Sequence, residues 1–325
     1  MITGVAGLLG SHFSRYLCDK GYDVIGIDNL SGGYNDYIDA RVEFYELDLS
    51  DAKALNKIFH EKQIDCVYHF AAYAAVGLSP FIRRFNYTNN IIASVNLINA
   101  SINYGIKKFV FTSSMDVYGK NQVPFTEEMV PSPEDPYGIA KYAIEQDLKA
   151  AHDQFGLKYT IARPHNVAGI YQNIWDKYRN VIGIWIRKTL NHEPITIYGD
   201  GTQVRSFSDI KFYMQPFESL MHDFDGETFN IGADNYCSIN ELADIFQKAV
   251  GVWSRAGRKY LEARNEVHTA YCDHSKAKRM LGFSDNTNLE NLVKDMFTWA
   301  TEQPVREVKM MPYEIEKNMY SYWKK

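Results

Sequence analysis

Tyr137 and Lys141 stand four residues apart in the segment PYGIAKY, and Tyr137 follows Ser114 by 23 residues. Side chains at positions i and i+4 share one face of a helix. An ammonium group beside a phenol favours the phenolate, so a phenol that ordinarily loses its proton near pH ~10 acts as a base closer to neutrality. Ser114 would hold a substrate hydroxyl group. Together these residues predict transfer of a hydride to and from an alcohol carbon.

A glycine-rich turn, TGVAGLLGSH, lies at residues 3–12, with Gly4, Gly7 and Gly10 spaced three apart. The first glycine permits a tight turn, the second lets the backbone approach a pyrophosphate, and the third lets a helix pack on a strand. The N-terminus of that helix favours phosphate charge. A glycine-rich loop of another use is the alternative, but Asp28 follows Gly10 by 18 residues and favours the dinucleotide.

Two acidic residues at predicted strand ends refine the cofactor prediction. A carboxylate at Asp28 accepts hydrogen bonds from both hydroxyls of the adenosine ribose and repels a 2′-phosphate, which favours NAD over NADP. Asp48 ends the segment ARVEFYELDLS and has two interpretations of equal weight: a contact with the adenine amino group, or a solvated turn.

The composition excludes several classes of protein. The chain has 325 residues, of which 46% are hydrophobic and 23% charged, values ordinary for a soluble globular protein. A net charge of -5 gives no electrostatic reason to expect nucleic acid or an anionic membrane as partner. No apolar run approaches the ~18 residues of a membrane span. The four cysteines show no CxxC spacing, so we expect no metal site, no disulfide framework and a cytoplasmic location.

Strand-like and helix-like segments alternate through the first half of the chain. This order predicts an α/β fold, a doubly wound parallel sheet of the Rossmann type, whose ligands bind beyond the carboxyl ends of the strands. Gly4, Asp28, Ser114 and Asn166 all fall at or just after such ends, so they could converge on one crevice. The predicted strands are 23–28, 66–72, 108–114 and 158–164, and the predicted helices between them are 54–63, 90–105 and 138–156.

The alternation loosens after residue 167 and predicts a smaller α/β lobe that binds substrate. We expect a helix within 169–190, strands within 194–207 and 229–235, and a helix at 238–251 with Ser238 as N-cap and Glu241 three residues later. The domain prediction is residues 1–167 plus about 204–235 for the NAD-binding domain, and 168–203 plus 236–301 for the substrate lobe. Residues 302–325 are interpreted as an appended tail of helical character, with no role indicated by the sequence.

The first strand is expected to be unusually short. Only Met1 and Ile2 precede Thr3, whereas this strand is central in a doubly wound sheet and should be long. A strand of this length would leave its neighbours with unmet ladder hydrogen bonds, and we therefore expect an upstream start codon that adds a few apolar residues.

Seven ordered motifs resemble the extended short-chain dehydrogenases that act on nucleotide sugars, a family of epimerases and dehydratases. The resemblance runs from residue 2 to about 300 and is strongest toward UDP-galactose (UDP-glucose) 4-epimerase and its N-acetylhexosamine relatives. The motifs are TGVAGLLGSH, IDNLS (27–31), YHFAAYAAVGLS (68–79), SSMDVYG (113–119), PYGIAK (136–141), RPHNVAG (163–169) and IYGDGTQVRSF (197–207).

The resemblance implies roles for individual residues. Tyr137 would be the catalytic base, Lys141 would bind the nicotinamide ribose and lower the pKa of Tyr137, and Ser114 would hold the sugar 4-hydroxyl. The implied cofactor site, for NAD, consists of Gly4, Gly7, Leu8, Leu9, Gly10, Asp28, Asn29, Asp48, Leu49, Phe70, Ala71, Ala72, Asn90, Ser113, Tyr137, Lys141 and Pro164. The implied substrate site consists of Ser114, Asp116, Tyr137, Asn166, Asn180, Tyr198, Arg205 and Ala270.

Within the substrate site, Asn166 and Asn180 would contact the diphosphate and nucleotide, and Tyr198 would pack beside the base. Arg205 would bind the pyrophosphate, because a guanidinium matches phosphate oxygens with two hydrogen bonds, although a surface salt bridge is the alternative. The chain departs from the family nearby. Ser206 replaces the usual Asp, Lys211 and Phe212 replace an acidic pair, and Arg264 lies one position away from a second pyrophosphate arginine.

Asp116 is the departure that bears on the reaction. Dehydratases and decarboxylases of the family carry Glu where Asp116 stands, so Asp116 is counted with the catalytic candidates, while a solvated or capping Asp remains the alternative. Met115 stands where dehydratases carry Asp, which counts against complete dehydratase chemistry. The resemblance therefore implies an NAD-dependent nucleotide-sugar 4-epimerase acting through a 4-keto sugar. A dehydratase or UDP-glucuronate decarboxylase using Asp116, and a non-catalytic dinucleotide-binding sensor, are the alternatives.

Two further expectations concern the substrate and the assembly. Ala270 aligns with a bulky Tyr of epimerases restricted to non-acetylated sugars, so it would leave room for an N-acetyl group, unless Tyr271 supplies the wall after a slip in register. The expected substrates are UDP-glucose, UDP-N-acetylglucosamine and their 4-epimers. Apolar residues on more than one face of helices 90–105 and 138–156 predict a homodimer through these helices.

Overall fold

In the computed structural model of the chain, the structure describes residues 1–307 and 311–324. No helix within these two ranges combines the length and apolar character needed to cross a membrane. The strands are β1 (Ile2–Thr3), β2 (Ile25–Asp28), β3 (Glu43–Glu46), β4 (Cys66–His69), β5 (Lys108–Thr112), β6 (Tyr159–Pro164), β7 (Val167–Ala168), β8 (Ile195–Tyr198), β9 (Val204–Ser206), β10 (Ser208–Asp209), β11 (Thr228–Ile231), β12 (Tyr236–Ser238), β13 (Arg258–Leu261) and β14 (Thr269–Ala270).

The helices connect these strands, and some of them cover both faces of the main sheet while others form the core of a smaller lobe. They are α1 (Leu8–Asp19), α2 (Ala52–Glu61), α3 (Arg83–Tyr87), α4 (Ala93–Asn103), α5 (Pro136–Phe155), α6 (Val181–Leu190), α7 (Met214–Ser219), α8 (Ile239–Val250), α9 (Ser275–Leu281) and α10 (Leu289–Thr301). Short 3₁₀ turns lie at 76–81 and 115–118, and a π turn at 88–92 leads into α4.

Seven strands form one parallel sheet in the order β11-β6-β5-β4-β1-β2-β3. All five residues of β5, KFVFT, are buried, as expected of a strand covered on both faces. One face packs a core around Phe13, Tyr68 and Phe217, and the other packs a core around Leu97 and Leu148. The α/β doubly wound fold predicted from the sequence is confirmed.

The central strand β1 is only two residues long, as the sequence predicted, and it pairs with β2 on one side and β4 on the other. The expectation of unmet ladder hydrogen bonds is partly wrong. The amino group of Met1 donates to the carbonyl oxygen of Cys66 over 2.7 Å, and the Tyr68 amide donates to the carbonyl of Met1 over 2.8 Å. Burial lowers the pKa of the Met1 amino group, because burial in the sheet disfavours the charged form.

The smaller lobe is built from three small sheets and a helical core. Strand β8 pairs with β13, β9 pairs with both β12 and β14, and β10 pairs with β7. Helices α6, α8 and α10 pack together around Trp185, Phe246 and Met296. The chain returns to the main sheet as β11, which pairs with β6. The exact division of the chain between the two lobes stays a prediction.

Two local predictions for the C-terminal third have different outcomes. Helix α8 begins after Ser238, whose hydroxyl accepts a hydrogen bond from the Glu241 amide while Glu241 bonds back, so the predicted capping box is confirmed. The helical interpretation of the tail is wrong for the part that the structure describes. Residues 311–324 contain a single 3₁₀ turn, Ser321–Trp323, and residues 308–310 and 325 lie outside the described residues.

Candidate active site

Helix α5 presents Tyr137 and Lys141 because its first turn is fixed by Asp135. The Asp135 carboxylate accepts hydrogen bonds from the backbone amides of Tyr137 (2.8 Å) and Gly138 (3.1 Å), and Pro136 occupies the first helical position. The Ser79 hydroxyl donates to the same carboxylate oxygen over 3.1 Å. Tyr137 is therefore held in the first turn, with its side chain buried.

Lys141 lies one turn after Tyr137 and is buried. Its ammonium nitrogen donates to the carbonyl oxygen of Thr112, at the end of β5, over 2.7 Å. It lies 4.8 Å from the ring centroid of Phe111 and 5.9 Å from that of Tyr137. Burial lowers the pKa of Lys141 to about 7, and Glu145 acts in the opposite direction. The two side chains share a helix face as predicted.

The pKa of Tyr137 differs from the expectation. In the protein alone, burial raises the pKa of the Tyr137 phenol well above its usual value, and the charge of Asp116 raises it further. The Ser114 hydroxyl and the more distant Arg179 act in the opposite direction. The Lys141 ammonium bonds to the Thr112 carbonyl, and its nitrogen lies 5.9 Å from the centroid of the Tyr137 ring. A lowering of the Tyr137 pKa by Lys141 stays a prediction.

Ser114 and Asp116 form a hydrogen-bonded pair beside Tyr137. Ser114 follows β5 and caps the 3₁₀ turn at 115–118, and its hydroxyl donates to Oδ2 of Asp116 over 2.9 Å. Burial raises the pKa of Asp116 to about 6, with Asp135 raising it further, while Ser114 and Arg205 lower it. Asp116 is therefore a half-buried carboxylate that is hydrogen-bonded within the site, rather than a freely solvated residue.

The glycine turn forms the floor of a cavity at the carboxyl end of the sheet. A Cβ atom on Gly4, whose φ is +72°, would lie 2.7 Å from the Ala71 amide nitrogen, and one on Gly10 would lie 2.1 Å from the Gly4 carbonyl oxygen. Only glycine fits at these two positions. Leu8 and Leu9 occupy the first turn of α1. Gly7, the N-cap of this helix, lines the cavity. This cradle suits the close approach of a pyrophosphate.

The predicted adenosine residues line the same cavity. The carboxylate of Asp28 accepts hydrogen bonds from the amides of Ala6 (3.0 Å) and Leu30 (2.8 Å), and burial raises its pKa. The Asn29 side-chain amide donates to Asp48 over 2.8 Å. The cavity is lined by these residues together with Leu49, Phe70, Ala71, Ala72 and Tyr73. The residues present thus fit a dinucleotide carrying a 2′-hydroxyl.

The remaining cofactor candidates lie around the end of β4, β5 and β6. The Asn90 side chain accepts from the Tyr73 amide over 2.9 Å and donates to the Tyr73 carbonyl, so it fixes the loop after β4. The Ser113 hydroxyl is buried without a hydrogen-bond partner in the described part of the chain. Pro164 ends β6. These positions agree with a role beside the nicotinamide end, which stays a prediction.

Asn166 and Asn180 are both committed to the backbone of the protein. The Asn166 side-chain amide donates to the carbonyl of Ser206 over 2.9 Å, and that of Asn180 donates to the carbonyl of Val167 over 2.9 Å. Asn180 also caps α6, where its side-chain oxygen accepts from the Ile182 amide. Both have positive φ values, +41° and +49°, a conformation that Asn tolerates better than most residues.

Arg205 does not present a free guanidinium to a pyrophosphate in this structure. Its Nη1 donates to the carbonyls of Val204 (2.8 Å) and His268 (2.9 Å), and its Nη2 lies 3.5 Å from the Glu266 carboxylate. The bidentate phosphate contact stays a prediction, because in this conformation the guanidinium meets backbone carbonyls and Glu266. Two of these carbonyls belong to residues 267 and 268, just before β14, which a local motif does not reveal.

Tyr198 has an occupied face as well. The guanidinium carbon of Arg264 lies 3.5 Å from the Tyr198 ring centroid, and the Tyr322 ring of the tail lies 4.9 Å away at 40°. Packing of this face beside a base is thus not available in this conformation. The Nε and Nη2 atoms of Arg264 are buried without a hydrogen-bond partner in the ranges that the structure describes.

Ala270 is buried in β14 and belongs to a cluster with Met115, beside the catalytic candidates. Tyr271 points elsewhere, since its ring stacks on that of Tyr236 with centroids 4.3 Å apart at 17°, and Tyr236 is 56% exposed. The register slip that would make Tyr271 the wall is thus disfavoured by the geometry.

Sequence reasoning missed three contributors to this region. The Asp-Pro pair at 135–136 is a sequence pattern typical of a helix N-terminus, and it could have predicted Asp135 as the N-cap of α5. Ser79 and the aromatic tail gave no comparable signal. In the structure, Tyr320, Tyr322 and Trp323 pack with residues of the 76–85 region, an apolar cluster that includes Leu78, Phe81 and Ile82.

The fold and site define a dinucleotide-binding enzyme of the Rossmann type, with a Ser, Tyr and Lys set at the end of β5 and in the first turns of α5. Residues 1–232 match the NAD dependent epimerase/dehydratase family. The chain belongs to that family. The match includes the glycine turn, Ser114, Tyr137, Lys141 and Arg205, so it confirms the resemblance noted in the sequence.

Individual relatives are similar over nearly the whole chain. A Thermotoga maritima UDP-glucose 4-epimerase, solved with UDP-glucose, is 34% identical with a TM-score of 0.88, covering 92% of this chain and 97% of that one. A UDP-N-acetylglucosamine 4-epimerase from Methanobrevibacter ruminantium, solved with UDP-N-acetylmuramic acid, is 32% identical with a TM-score of 0.84 and the same coverage. A Caenorhabditis elegans UDP-glucose 4-epimerase is 30% identical over 346 residues, covering 94% of this chain and 98% of that protein.

Proposed function

We propose that this protein is an NAD-dependent nucleotide-sugar 4-epimerase that acts on UDP-sugars. The observation that carries the proposal is the meeting of Ser114, Tyr137 and Lys141 at the carboxyl ends of the sheet strands, next to the cavity of the glycine turn. NAD held by the residues of this cavity would supply reversible hydride transfer at carbon 4 of the sugar. Relatives at 30–34% identity that are named as UDP-sugar 4-epimerases support this assignment.

Each residue of the set has a defined task in this proposal. The Tyr137 phenolate removes the proton of the 4-hydroxyl, and the resulting phenol returns that proton to the same oxygen once carbon 4 has been reduced again from its other face. The Ser114 hydroxyl, which donates to Asp116 in this structure, turns to the sugar oxygen when substrate binds and orients it, and it favours the phenolate through its effect on the pKa of Tyr137. Lys141 is anchored on the Thr112 carbonyl and orients the ribose of the cofactor. Fixed donors of this kind contribute through positioning and charge stabilisation.

A second candidate function rests on Asp116. This half-buried carboxylate has a pKa raised to about 6 and contacts Ser114, so it could exchange a proton with substrate near neutral pH. A 4,6-dehydratase or a UDP-glucuronate decarboxylase would need such an added acid/base group. The epimerase is favoured because Met115, an apolar residue, occupies the adjacent position where an acidic group would assist dehydration. A non-catalytic sensor has no use for the complete set.

The test is incubation of the purified protein with UDP-sugars, followed by identification of the product. An inverted sugar supports the 4-epimerase, a 4-keto-6-deoxy sugar or a pentose supports the second candidate, and no product supports a sensor. The Tyr137→Phe variant should lose turnover and still bind NAD, because only the hydroxyl is removed. Tyr260→Phe, at a 51% exposed position in β13, is the matched control and should keep its activity. Substantial activity of Tyr137→Phe would exclude Tyr137 as the base.

The finer assignments are part of the same proposal. Ala270 leaves room beside the 2-substituent, so both UDP-glucose and UDP-N-acetylglucosamine should be interconverted with their 4-epimers. The four cysteines are free thiols, which supports a reducing, cytoplasmic location.

We also propose a homodimer through the faces of α4 and α5. Leu97, Ile144 and Leu148 are buried in the core, as one face of each helix requires. Ile92 and Ile139 remain 51% and 41% exposed, so an apolar surface is left for a second copy of the chain.

A further inference from the structure

The cofactor cavity must hold the two negative charges of a diphosphate, yet its lining is poor in cations. Asp28 and Asp48 bring negative charge to it, and the glycine turn brings only backbone dipoles. Among the described residues that line the cavity, Arg179 is the single Lys or Arg. Arg179 comes from the segment before α6, which belongs to the predicted substrate lobe rather than to the cofactor domain.

The Arg179 guanidinium is fixed in place by neighbours on both sides. Its Nε donates to Oδ2 of Asp176 over 2.8 Å, and the Asp176 side chain is only 2% exposed. The Arg179 guanidinium carbon lies 4.8 Å from the ring centroid of Tyr73, which follows β4. The Tyr73 phenol donates to the same Asp176 oxygen over 3.4 Å. A guanidinium held through Nε keeps both terminal nitrogens available for a planar two-oxygen ligand.

Those terminal nitrogens lie against the loop that follows β2. A Cβ atom on Gly32 would lie 2.8 Å from Nη2 and 3.0 Å from Nη1 of Arg179, so a side chain at position 32 would displace the guanidinium. Nη2 is 3.5 Å from the Gly32 carbonyl oxygen, too long for a strong hydrogen bond. The Asn173 side-chain amide donates a shorter hydrogen bond, of 3.2 Å, to the same Gly32 carbonyl oxygen. The segment 173–179 thus contacts the loop at Gly32 and places the Arg179 guanidinium at the cavity.

Arg179 lines the cavity and acts electrostatically on groups at both ends of the predicted dinucleotide site. Its positive charge is felt at Asp28, where it lowers the pKa of the carboxyl against the effect of burial, and at Tyr137, where it favours the phenolate. Asp28 marks the adenosine ribose and Tyr137 marks the nicotinamide end. The diphosphate is the part of a dinucleotide that joins these two ends.

We propose that Arg179 is a cofactor-binding residue, which reaches across from the substrate lobe and binds the diphosphate of NAD with its two terminal nitrogens. Since the cation stands on the predicted substrate lobe, the bound cofactor adds a further contact that holds the segment 173–179 against the cofactor domain. Asn180, the N-cap of α6 and a predicted substrate contact, is the next residue. The cofactor thereby positions the nucleotide-sugar side of the cleft. This inference deepens the proposed function and rests on its NAD site.

The experiment measures binding rather than turnover. Arg179→Met is stripped of cofactor and titrated calorimetrically with NAD, with ADP-ribose, with adenosine and with UDP. Loss of a charge-assisted contact should raise the dissociation constants of NAD and ADP-ribose by about tenfold or more, while that of adenosine, which lacks phosphate, stays unchanged. Arg179→Lys should recover part of the affinity, because a point charge remains without the planar fork.

Lys177→Gln is the matched control: it removes one positive charge two residues away, from an exposed side chain, and should leave NAD affinity unchanged. Unchanged NAD and ADP-ribose affinity in folded Arg179→Met overturns the inference, as does a loss confined to UDP, which would place Arg179 on the substrate diphosphate. An equal loss for adenosine overturns it too, because the effect would then be structural. If the Met variant fails to fold, full NAD affinity in Arg179→Lys counts against the two-nitrogen contact. These binding results test the role of Arg179 even if the protein does not catalyse the proposed reaction, because they measure affinity for NAD and not turnover.

Discussion

The Ser114 hydroxyl donates its hydrogen to Oδ2 of Asp116 over 2.9 Å, so the residue expected to hold the sugar hydroxyl is itself oriented by a carboxylate. The same carboxylate raises the pKa of the Tyr137 phenol, the proposed base. Asp116 therefore has two opposed effects on the site. It fixes the direction of the Ser114 hydroxyl, and it makes the phenolate of Tyr137 harder to form.

Asp116→Asn should make the base more acidic. Removal of the negative charge lowers the pKa of Tyr137, because an anion disfavours a second anion nearby. The base is active when deprotonated, so the acidic limb of the kcat/KM profile with UDP-glucose should move to lower pH, by about one unit. The Asn oxygen still accepts the hydrogen bond from Ser114, so the turn at 115–118 should be retained.

The control for this prediction is Asp153→Asn, which removes the same charge from an exposed position near the far end of α5. Its profile should coincide with that of the unmodified protein. A shift of the limb to higher pH in Asp116→Asn would contradict the electrostatic argument. Complete loss of epimerisation would instead indicate that Asp116 is a required proton-transfer group, as the second candidate function supposes.

The parts of the site that local spacing determines were predictable from the sequence. Tyr137 and Lys141 lie on one helix face because they are four residues apart, and Gly4 and Gly10 approach each other because a strand–turn–helix unit brings them together. The order of strands and helices predicted the doubly wound sheet for the same reason, since each crossover unit is local in the chain.

The parts that the sequence could not predict depend on side-chain direction and on long-range contacts. Arg205 matches its motif, yet its donors are taken by carbonyls at 267 and 268, which lie about sixty residues later. Arg179 reaches the loop at Gly32 from far along the chain. The tail could not be predicted from a local pattern, since its aromatic residues pack against a surface formed by other segments and not along one face of a helix.

Trp323 should anchor the tail on the site. Its ring is 6% exposed and lies 5.0 Å from Tyr178 and 5.8 Å from Phe81, measured between ring centroids. Trp323→Ala should lower the free energy of unfolding by about 3–5 kcal/mol, the usual effect of emptying a buried aromatic site. Chemical denaturation monitored by circular dichroism measures this change.

The same substitution should also raise the KM for UDP-sugars, because the cluster supports the turn at 76–81 that carries Ser79, a partner of Asp135. Val305→Ala is the control, since Val305 is 96% exposed and its truncation should change stability by less than about 0.5 kcal/mol. Equal stability of the two variants would show that the tail does not pack as the structure has it.

The proposed dimer makes a prediction about the exposed isoleucines. Ile92→Asp combined with Ile139→Asp should place charges in the buried interface and dissociate the protein, because an unpaired charge is costly away from water. Sedimentation velocity at micromolar concentration should give twice the 37.4 kDa chain mass for the unmodified protein and the chain mass for the variant. Val130→Asp, at a residue that is 78% exposed, should leave the assembly intact. A monomeric unmodified protein would end the proposal.

Ala270→Tyr should separate the two classes of substrate. Ala270 is buried beside Met115, at the wall that the family places next to the 2-substituent of the sugar. A phenol ring there would clash with an N-acetyl group and leave a hydroxyl accommodated, so the substitution adds repulsion against one substrate only. We expect kcat/KM for UDP-N-acetylglucosamine to fall by about a hundredfold or more, roughly 3 kcal/mol, with a much smaller loss for UDP-glucose.

Tyr271→Ala provides the control for the position of that wall. The Tyr271 ring stacks on Tyr236, so its removal should leave unchanged the ratio of kcat/KM for UDP-N-acetylglucosamine to kcat/KM for UDP-glucose. Both values are measured in the same assay. A changed ratio in Tyr271→Ala would place the wall one residue along and restore the alternative register. Equal losses on both sugars in Ala270→Tyr, or an unmodified enzyme without activity on the acetylated sugar, would remove Ala270 as the determinant of specificity.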